Sequence, residues 1–270
     1  MRWMNHAELL PSPPENSRNR RVAPPSPLLF LAEGRAIFEF GSGIALWPLL
    51  QLAPRGDGHP VLVLPGFLAG NASTLLMRRY LSTLGYDAHG WSMGLNLGHR
   101  QKLEAAMLGQ LEQIFRESRR KVSIVGWSLG GAFARLLAAR RPEIVRSVLT
   151  LGSPIGGGAD VTNADRVYRT LNRQKKNDSS VKKLVAQSLD MPTTSIFSRS
   201  DGVVSWRAST IQAGPQSENI EVHGSHTGMG GNPAVLYAVA DRLAQPEGEW
   251  TAFRRRGLAA IAFPDPDRAA

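Results

Sequence analysis

The chain has 270 residues, 42% of them hydrophobic, and a formal net charge of +10, which is enough apolar content for one domain with a substantial core. It contains no cysteine, which excludes disulfides, thiolate zinc sites and thiol nucleophiles. The basic residues are scattered through both termini, the helices and a central insertion, with no recognisable nucleic-acid-binding module, so a solvated basic surface and no nucleic-acid partner are expected.

Residues 1–27 carry Pro11, Pro13, Pro14, Pro24, Pro25 and Pro27 among asparagine, serine and arginine. Proline fixes φ and removes a backbone donor, so a flexible, extended arm is expected. The first ten residues lack a basic stretch followed by a long apolar run and a small-residue cleavage site. No secretory signal is expected, and cytoplasmic residence is the default. An N-terminal helical segment is expected over 28–59. Its run LLFLAEGRAIFEFGSGIALWPLLQL, Leu28 to Leu52, has apolar positions at mixed helical spacing, and Gly41 and Gly43 predict a break between two short helices. Glu33, Arg35, Glu39 and Pro48 interrupt it too often for a membrane span. Packing over the domain is the expected role. The sharper reading is peripheral membrane contact through residues 18–52, with Arg18, Arg20 and Arg21 beside the apolar run.

A single α/β domain is expected over 60–245. Val61 to Leu64 is a short continuous apolar run, as in a parallel strand buried on both faces, and it ends in Pro65-Gly66-Phe67-Leu68-Ala69-Gly70. A helix is predicted over Ser73–Leu84, a second strand from Gly85-Tyr86 toward Trp91, and an amphipathic helix over Gln101–Arg119 with Leu103, Met107, Leu111, Ile114 and Phe115 on one side. Val122–Val125 leads into Gly126-Trp127-Ser128-Leu129-Gly130-Gly131 and an alanine- and leucine-rich helix. Val145–Leu151 is the next strand. A polar, helix-like insertion with Arg166, Arg169, Lys175, Lys176, Lys182 and Lys183 occupies about 155–190. Thr194–Phe197 and Asn219–His223 complete the strands, and Pro233 opens the last clear helix, Ala234–Leu243. This alternation predicts a mostly parallel central sheet with helices on both faces. The Pro/Arg-rich tail, 246–270, carries no legible motif.

Strand, sharp turn, helix with a serine at the tip is the arrangement of a nucleophile elbow, where nearby glycines let two backbone segments pass. Gly90-Trp91-Ser92-Met93-Gly94 matches the same short pattern, but a turn-like stretch follows it instead of a helix, which favours Ser128. A serine hydroxyl needs a base within hydrogen-bond reach and a group that orients that base. In this architecture they come in the order serine, acid, histidine. Of six histidines, only His223 and His226 follow Ser128. His226 lies in a glycine-rich loop and is favoured over His223 at the strand end. Asp201, on a loop after a strand, is the favoured acid; Asp160, Asp165, Asp178, Asp190, Glu218 and Glu221 are its rivals. Leu129 supplies one backbone N–H to a developing oxyanion, and Phe67 is the candidate for the second.

With these blocks placed, the chain resembles the α/β-hydrolase superfamily and, within it, compact bacterial lipases and esterases. The resemblance covers about Pro60 to Ala244. It rests on L-P-G-F at 64–67, G-W-S-L-G-G at 126–131, S-R-S-D-G-V-V at 198–204 and G-S-H-T-G-M at 224–229. It implies the α/β-hydrolase fold, Ser128 as nucleophile, Asp201 as acid, His226 as base, and an oxyanion hole of Phe67 and Leu129, with no cofactor or metal. Many relatives carry histidine where this chain has Pro65. The insertion sits where such enzymes place a helical cap or lid. Leu68 and Trp127 are expected beside an apolar substrate pocket, and Asn96 and Asn163 are candidate polar contacts that turn formation explains equally well. The implied activity is cleavage of carboxylic esters in a small-molecule or lipid substrate through an acyl-enzyme. Acyl transfer through the same intermediate and a non-catalytic lipid-binding role on the same scaffold stay open. Nothing in the sequence specifies an oligomeric state.

Overall fold

The computed structural model describes residues 23–156, 161–172, 179–255 and 259–267; most of the predicted arm and parts of the insertion, including Lys175 and Lys176, lie outside them. Among the described residues six strands form one sheet: β1 (Pro60–Leu64), β2 (Asp87–Gly90), β3 (Val122–Trp127), β4 (Val145–Leu151), β5 (Thr193–Phe197) and β6 (Ser217–Glu221). Their spatial order is β2-β1-β3-β4-β5-β6, and every pairing is parallel. Parallel strands covered on both faces read as continuous apolar runs, and β1 and β4 are buried along their whole length.

Alternation along β1 assigns the two layers. Val61 and Val63 point into a core built with α3 (Trp47–Leu50), α4 (Leu75–Thr83) and α10 (Pro233–Leu243). Leu62 and Leu64 point into the opposite core, built with α5 (Gln101–Ser118) and α6 (Leu129–Arg140). On α5 the buried residues are Met107, Leu111 and Ile114, spaced at the helical period. Each fully buried leucine or valine contributes roughly 1.5–3 kcal/mol. On α10, Asn232 caps the first turn by accepting from the N–H of Ala234 at 3.0 Å, and Pro233 occupies the position that needs no donor.

Two expectations are corrected. The predicted break at Gly41 and Gly43 is absent: α1 (Pro27–Leu31) and a 3₁₀ turn precede α2 (Ala36–Ala45), which runs through both glycines and ends at Leu46. Gly43 is there for contact, because a Cβ on it would strike the carbonyl oxygen of Gly231. The last strand ends at Glu221, not at His223; Val222 N–H still donates to Phe197 at 2.9 Å, after which β5 has no further partner groups to offer. The tail, which showed no motif, puts Phe253 and Phe263 edge to face at 4.7 Å beside α10, with the Arg242 guanidinium 5.3 Å from the Phe253 ring.

The insertion contributes α7 (Asp165–Leu171) and α8 (Ser179–Ala186). Val181, Leu184 and Val185 of α8 pack on Leu129, Ala132 and Leu136 of α6. Two glycines test opposite limits of this packing. A Cβ on Gly126 would collide with the backbone of Gly130 and Gly131, whereas one on the exposed, mid-helix Gly109 would meet nothing within 4 Å. Gly126→Ala is expected to cost about 1–3 kcal/mol. Gly109→Ala is expected to stabilise by roughly 0.5–1 kcal/mol, and thermal unfolding of both variants against wild type checks the contrast.

Candidate active site

In an open parallel sheet, ligands collect outside the carboxyl ends of the strands where the strand order reverses. Here the reversal lies between β1 and β3, and the loops leaving these two strands carry Phe67 and Ser128. Ser128 has φ 55° and ψ −123°, a conformation that costs a non-glycine residue about 1–3 kcal/mol. Its N–H donates to Leu151 at 2.8 Å, and its carbonyl accepts from Gly131 at 2.9 Å. The helix α6 starts on the next residue, so its positive end and its free N–H groups face the serine.

The Phe67 loop is braced from below. Asn96 is fully buried and donates through Nδ2 to Pro65 at 3.0 Å; its own N–H reaches Ala69 at 2.9 Å, and its carbonyl accepts from Leu68 at 2.8 Å. Leu68 is held at φ 59°. A Cβ on Gly66 would lie 3.2 Å from Ser128 Cβ and 3.7 Å from its Oγ, so this loop passes directly over the serine. Among the described residues, neither the Phe67 nor the Leu129 N–H has a hydrogen-bond partner. Asn96 does not line the cleft; the structure places it in the loop's support.

Asp201 and His226 meet on the loops after β5 and β6. His226 Nδ1 is 2.7 Å from Asp201 Oδ2, and Asp201 Oδ1 accepts from the N–H groups of Val203 at 2.8 Å and Val204 at 2.7 Å. The carboxylate is 2% exposed and the imidazole residue 6%. A donor hydrogen on Nδ1 leaves Nε2 as the acceptor nitrogen. Burial on its own would lower the pKa of His226, but the Asp201 charge, its hydrogen bond and the more distant Glu33 charge outweigh that and raise it above 6.5. The pair stands at Gly152, one residue past the β4 carbonyl of Leu151 that accepts the Ser128 N–H. A Cβ on Gly152 would lie 2.9 Å from Asp201 Oδ2 and 3.1 Å from His226 Nδ1, and Trp127 Nε1 donates to the His226 carbonyl at 3.1 Å. Trp127 thus supports the histidine loop and is not part of the cleft wall.

The N-terminal helices clamp both loops, a role the sequence did not disclose. Glu33 Oε1 accepts from the N–H of Gly202 at 2.8 Å and of His226 at 2.9 Å, and Oε2 accepts from Thr227 at 2.7 Å. Burial by itself would raise the Glu33 pKa, but these three backbone donors lower it. Glu39 accepts from Ser225 N–H at 2.7 Å and Asn232 Nδ2 at 3.1 Å. Arg35 Nη2 donates to the carbonyls of Ser200 at 2.6 Å and Gly224 at 3.0 Å. The available signal was three charges inside an otherwise apolar helical run, since charges in such a run need partners.

A cleft of about 190 Å³ opens beside Ser128. Phe67 and Leu129 line it near the serine, α6 contributes Phe133 and Leu136, and the insertion contributes Tyr168 and Val185. The Tyr168 and Phe67 rings meet edge to face at 5.3 Å. His99, whose Nε2 lies 2.7 Å from Glu104, also reaches the wall, as does Lys182. Leu68 is 48% exposed next to the cleft. Asn163 fastens the start of the helical segment, donating to Gly202 at 2.7 Å and Pro25 at 3.2 Å. Ser92 is exposed beyond the edge strand, and His223 is exposed at the start of its loop. Glu218 and Glu221 are engaged by Arg242 and Arg199, Asp190 is exposed, and Asp160 and Asp178 lie outside the described residues. Among the described residues no group of three histidine or carboxylate side chains could hold a metal ion.

Comparison with known proteins matches this architecture. Aspergillus fumigatus lipase B superimposes with a TM-score of 0.52 at 17% identity, over 68% of this chain and 52% of the lipase. An α/β superfamily hydrolase from Oenococcus oeni PSU-1 gives 0.53 at 16% identity, over 69% of this chain and 91% of that one. The chain thus spans about half the length of the first protein and most of the second. No protein-family model and no curated protein matches the sequence. At these identities the likeness establishes the fold: the chain has the α/β-hydrolase fold.

In an NMR titration His226 is expected to have a midpoint above 6.5. Glu33→Gln removes a negative charge that favours imidazolium, so the midpoint is expected to move to lower pH; an unchanged midpoint would contradict the electrostatic role of Glu33.

Proposed function

We propose that the chain is a serine hydrolase that cleaves carboxylic esters of apolar acids through an acyl-enzyme on Ser128. The observation that carries this reading is the convergence of three features at one sheet edge. A serine is held at positive φ, two unengaged N–H groups lie on the loop after β1 and at the start of α6, and a buried carboxylate–imidazole pair stands on the loops after β5 and β6 at the same edge. His226 Nε2 takes the Ser128 hydroxyl proton as Oγ attacks the ester carbonyl. The carbonyl oxygen becomes an oxyanion and accepts from the N–H groups of Phe67 and Leu129, donors already in place when the charge develops. Collapse of the tetrahedral intermediate breaks the C–O bond to the alcohol, which leaves with the proton from His226. A water then attacks the acyl-enzyme, gives its proton to His226 and releases the acid, and Ser128 regains its hydrogen. Asp201 fixes the tautomer and stabilises the imidazolium.

The cleft supports the choice of substrate. Phe133, Leu136, Ile155 and Val185 offer hydrocarbon and no hydrogen bonds. A volume of about 190 Å³ is below the roughly 300–1,000 Å³ of sites for drug-sized ligands, which fits a single acyl chain of short to medium length.

Two results are expected from a series of p-nitrophenyl esters of increasing acyl length. Wild type prefers short to medium chains, and Ser128→Ala loses roughly 10⁴-fold or more in kcat with its Tm unchanged. Equal turnover by the variant would remove Ser128 from the chemistry. Because His226 acts as a base in its neutral form and its pKa is raised above 6.5, kcat/KM is expected to fall toward acid with a midpoint above that value; a limb centred well below it would point to a different base.

A further inference from the structure

The N-terminal helices turn their charges inward and their hydrocarbon outward. Glu33, Arg35 and Glu39 bind the loops that carry Asp201 and His226, and Gln51 donates to Thr83. From Pro27 to Leu52, every exposed residue is apolar or glycine. Leu28, Leu31, Ile37 and Phe38 are exposed by 78%, 77%, 77% and 79%. On α2 the helical period divides the faces. Ala36, Glu39, Phe40 and Gly43 face the protein, and Ile37, Phe38, Gly41 and Ile44 face away from it. Single exposed apolar residues are ordinary. A face of them along three successive helices marks a docking surface.

Three features of the segment identify what docks. The exposed residues have no side-chain hydrogen-bond donors or acceptors. Protein partners bring about one hydrogen bond per 100–200 Å² of interface, whereas lipid hydrocarbon requires none. Charge agrees: Arg18, Arg20 and Arg21 precede the face, no acidic residue occurs from 16 to 32, and the whole chain is at +10, a distribution suited to anionic headgroups. The chain entering the face also lies next to the cleft wall, because Asn163 bonds both Pro25 and Gly202 and the adjacent Thr162 and Val203 line the cleft. No described helix is long and apolar enough to cross a membrane, so contact is with one leaflet.

We infer that the outward face of residues 27–52 docks on an anionic lipid surface, the positive charge of the sequence before it adding electrostatic attraction. Hydrocarbon of Leu28, Leu31, Ile37 and Phe38 then enters the acyl boundary, and the mouth of the cleft opens close to the lipid. The docking rests on exposure and charge, independently of the ester chemistry, so flotation and hydrolysis can fail separately.

The test is vesicle flotation of the full chain, using phosphatidylcholine alone or mixed with phosphatidylglycerol, together with light scattering in the absence of lipid. Wild type is expected to float with the mixed vesicles, less with the neutral ones, and less again as salt rises. The double variant Ile37→Asp/Phe38→Asp is expected to lose flotation at least tenfold while keeping its Tm and its turnover of a soluble short ester. Three results would overturn the inference: a wild type that stays unbound, a variant that floats as well as wild type, or a lipid-indifferent wild-type dimer that the double variant dissociates. The last result would assign the face to a second copy of the chain.

Discussion

The chain leaves β3 and enters α6 through a single residue, Ser128, at φ 55° and ψ −123°, and the surrounding sequence is arranged to permit that turn. Side chains at 126 or 130 would drive the strand, the helix and the end of β1 into one another. Because these backbones approach so closely, the loop after β1 passes over the serine and the first turn of α6 points at it. The strain at one residue is offset by the packing of β3, which is buried through five of its six positions. A strained turn with packed surroundings is preorganised: the groups that would meet a developing oxyanion need not move to do so.

The molecule also contains a control for its own site. At the opposite edge of the sheet, His59 lies 2.5 Å from Asp57 and 2.9 Å from Ser123 Oγ, an Asp–His–Ser set with hydrogen bonds like those of an active centre. His59 and Ser123 are fully buried, and Ser123 shares its hydroxyl with Ser147 at 2.9 Å. Burial lowers the pKa of His59 despite the neighbouring carboxylate, whereas that of His226 is raised. The carboxylate–imidazole pairs are thus alike in the two sets, and the difference lies in the backbone around the serines. Only Ser128 stands on a positive-φ turn with unengaged N–H groups and a cleft in front of it. Glu33, Arg35 and Glu39 complete that backbone environment by tying two loops, separated by more than twenty residues, to one short segment near the amino terminus. The inward charges leave that segment only hydrocarbon to present outward.

Much of the fold and of the candidate site was legible because local rules and tertiary environment agreed. Val61–Leu64 and Val145–Leu151 read as buried parallel strands since both of their faces are covered. The G-W-S-L-G-G block read as an elbow since its glycines answer a backbone contact. Asp201 and His226 were picked out by chain order together with their positions on loops after strands. The clamp was not legible: Glu33 looks like an interruption of an apolar run until its partners, more than 160 positions away, are known. Gly43 misled for a related reason, since a glycine that admits a neighbouring backbone looks the same in sequence as one that ends a helix. Asn96 and Trp127 were placed near the right loops, but as groups that would face substrate, and they instead hold those loops from behind. Leu136, Tyr168 and Val185 of the cleft wall come from the buried helix α6 and a polar insertion whose docking has no local signature.

The central claim is that backbone geometry singles out Ser128 from the other serines, including Ser92 in its matching motif. Reaction with a fluorophosphonate, which traps an activated serine as a stable covalent adduct, followed by peptide mass mapping, tests it most directly. The account predicts one adduct, on Ser128, whose formation is abolished by His226→Ala and strongly slowed by Asp201→Asn. An adduct on Ser92 or Ser123, or labelling of Ser128 that is indifferent to His226, would contradict it.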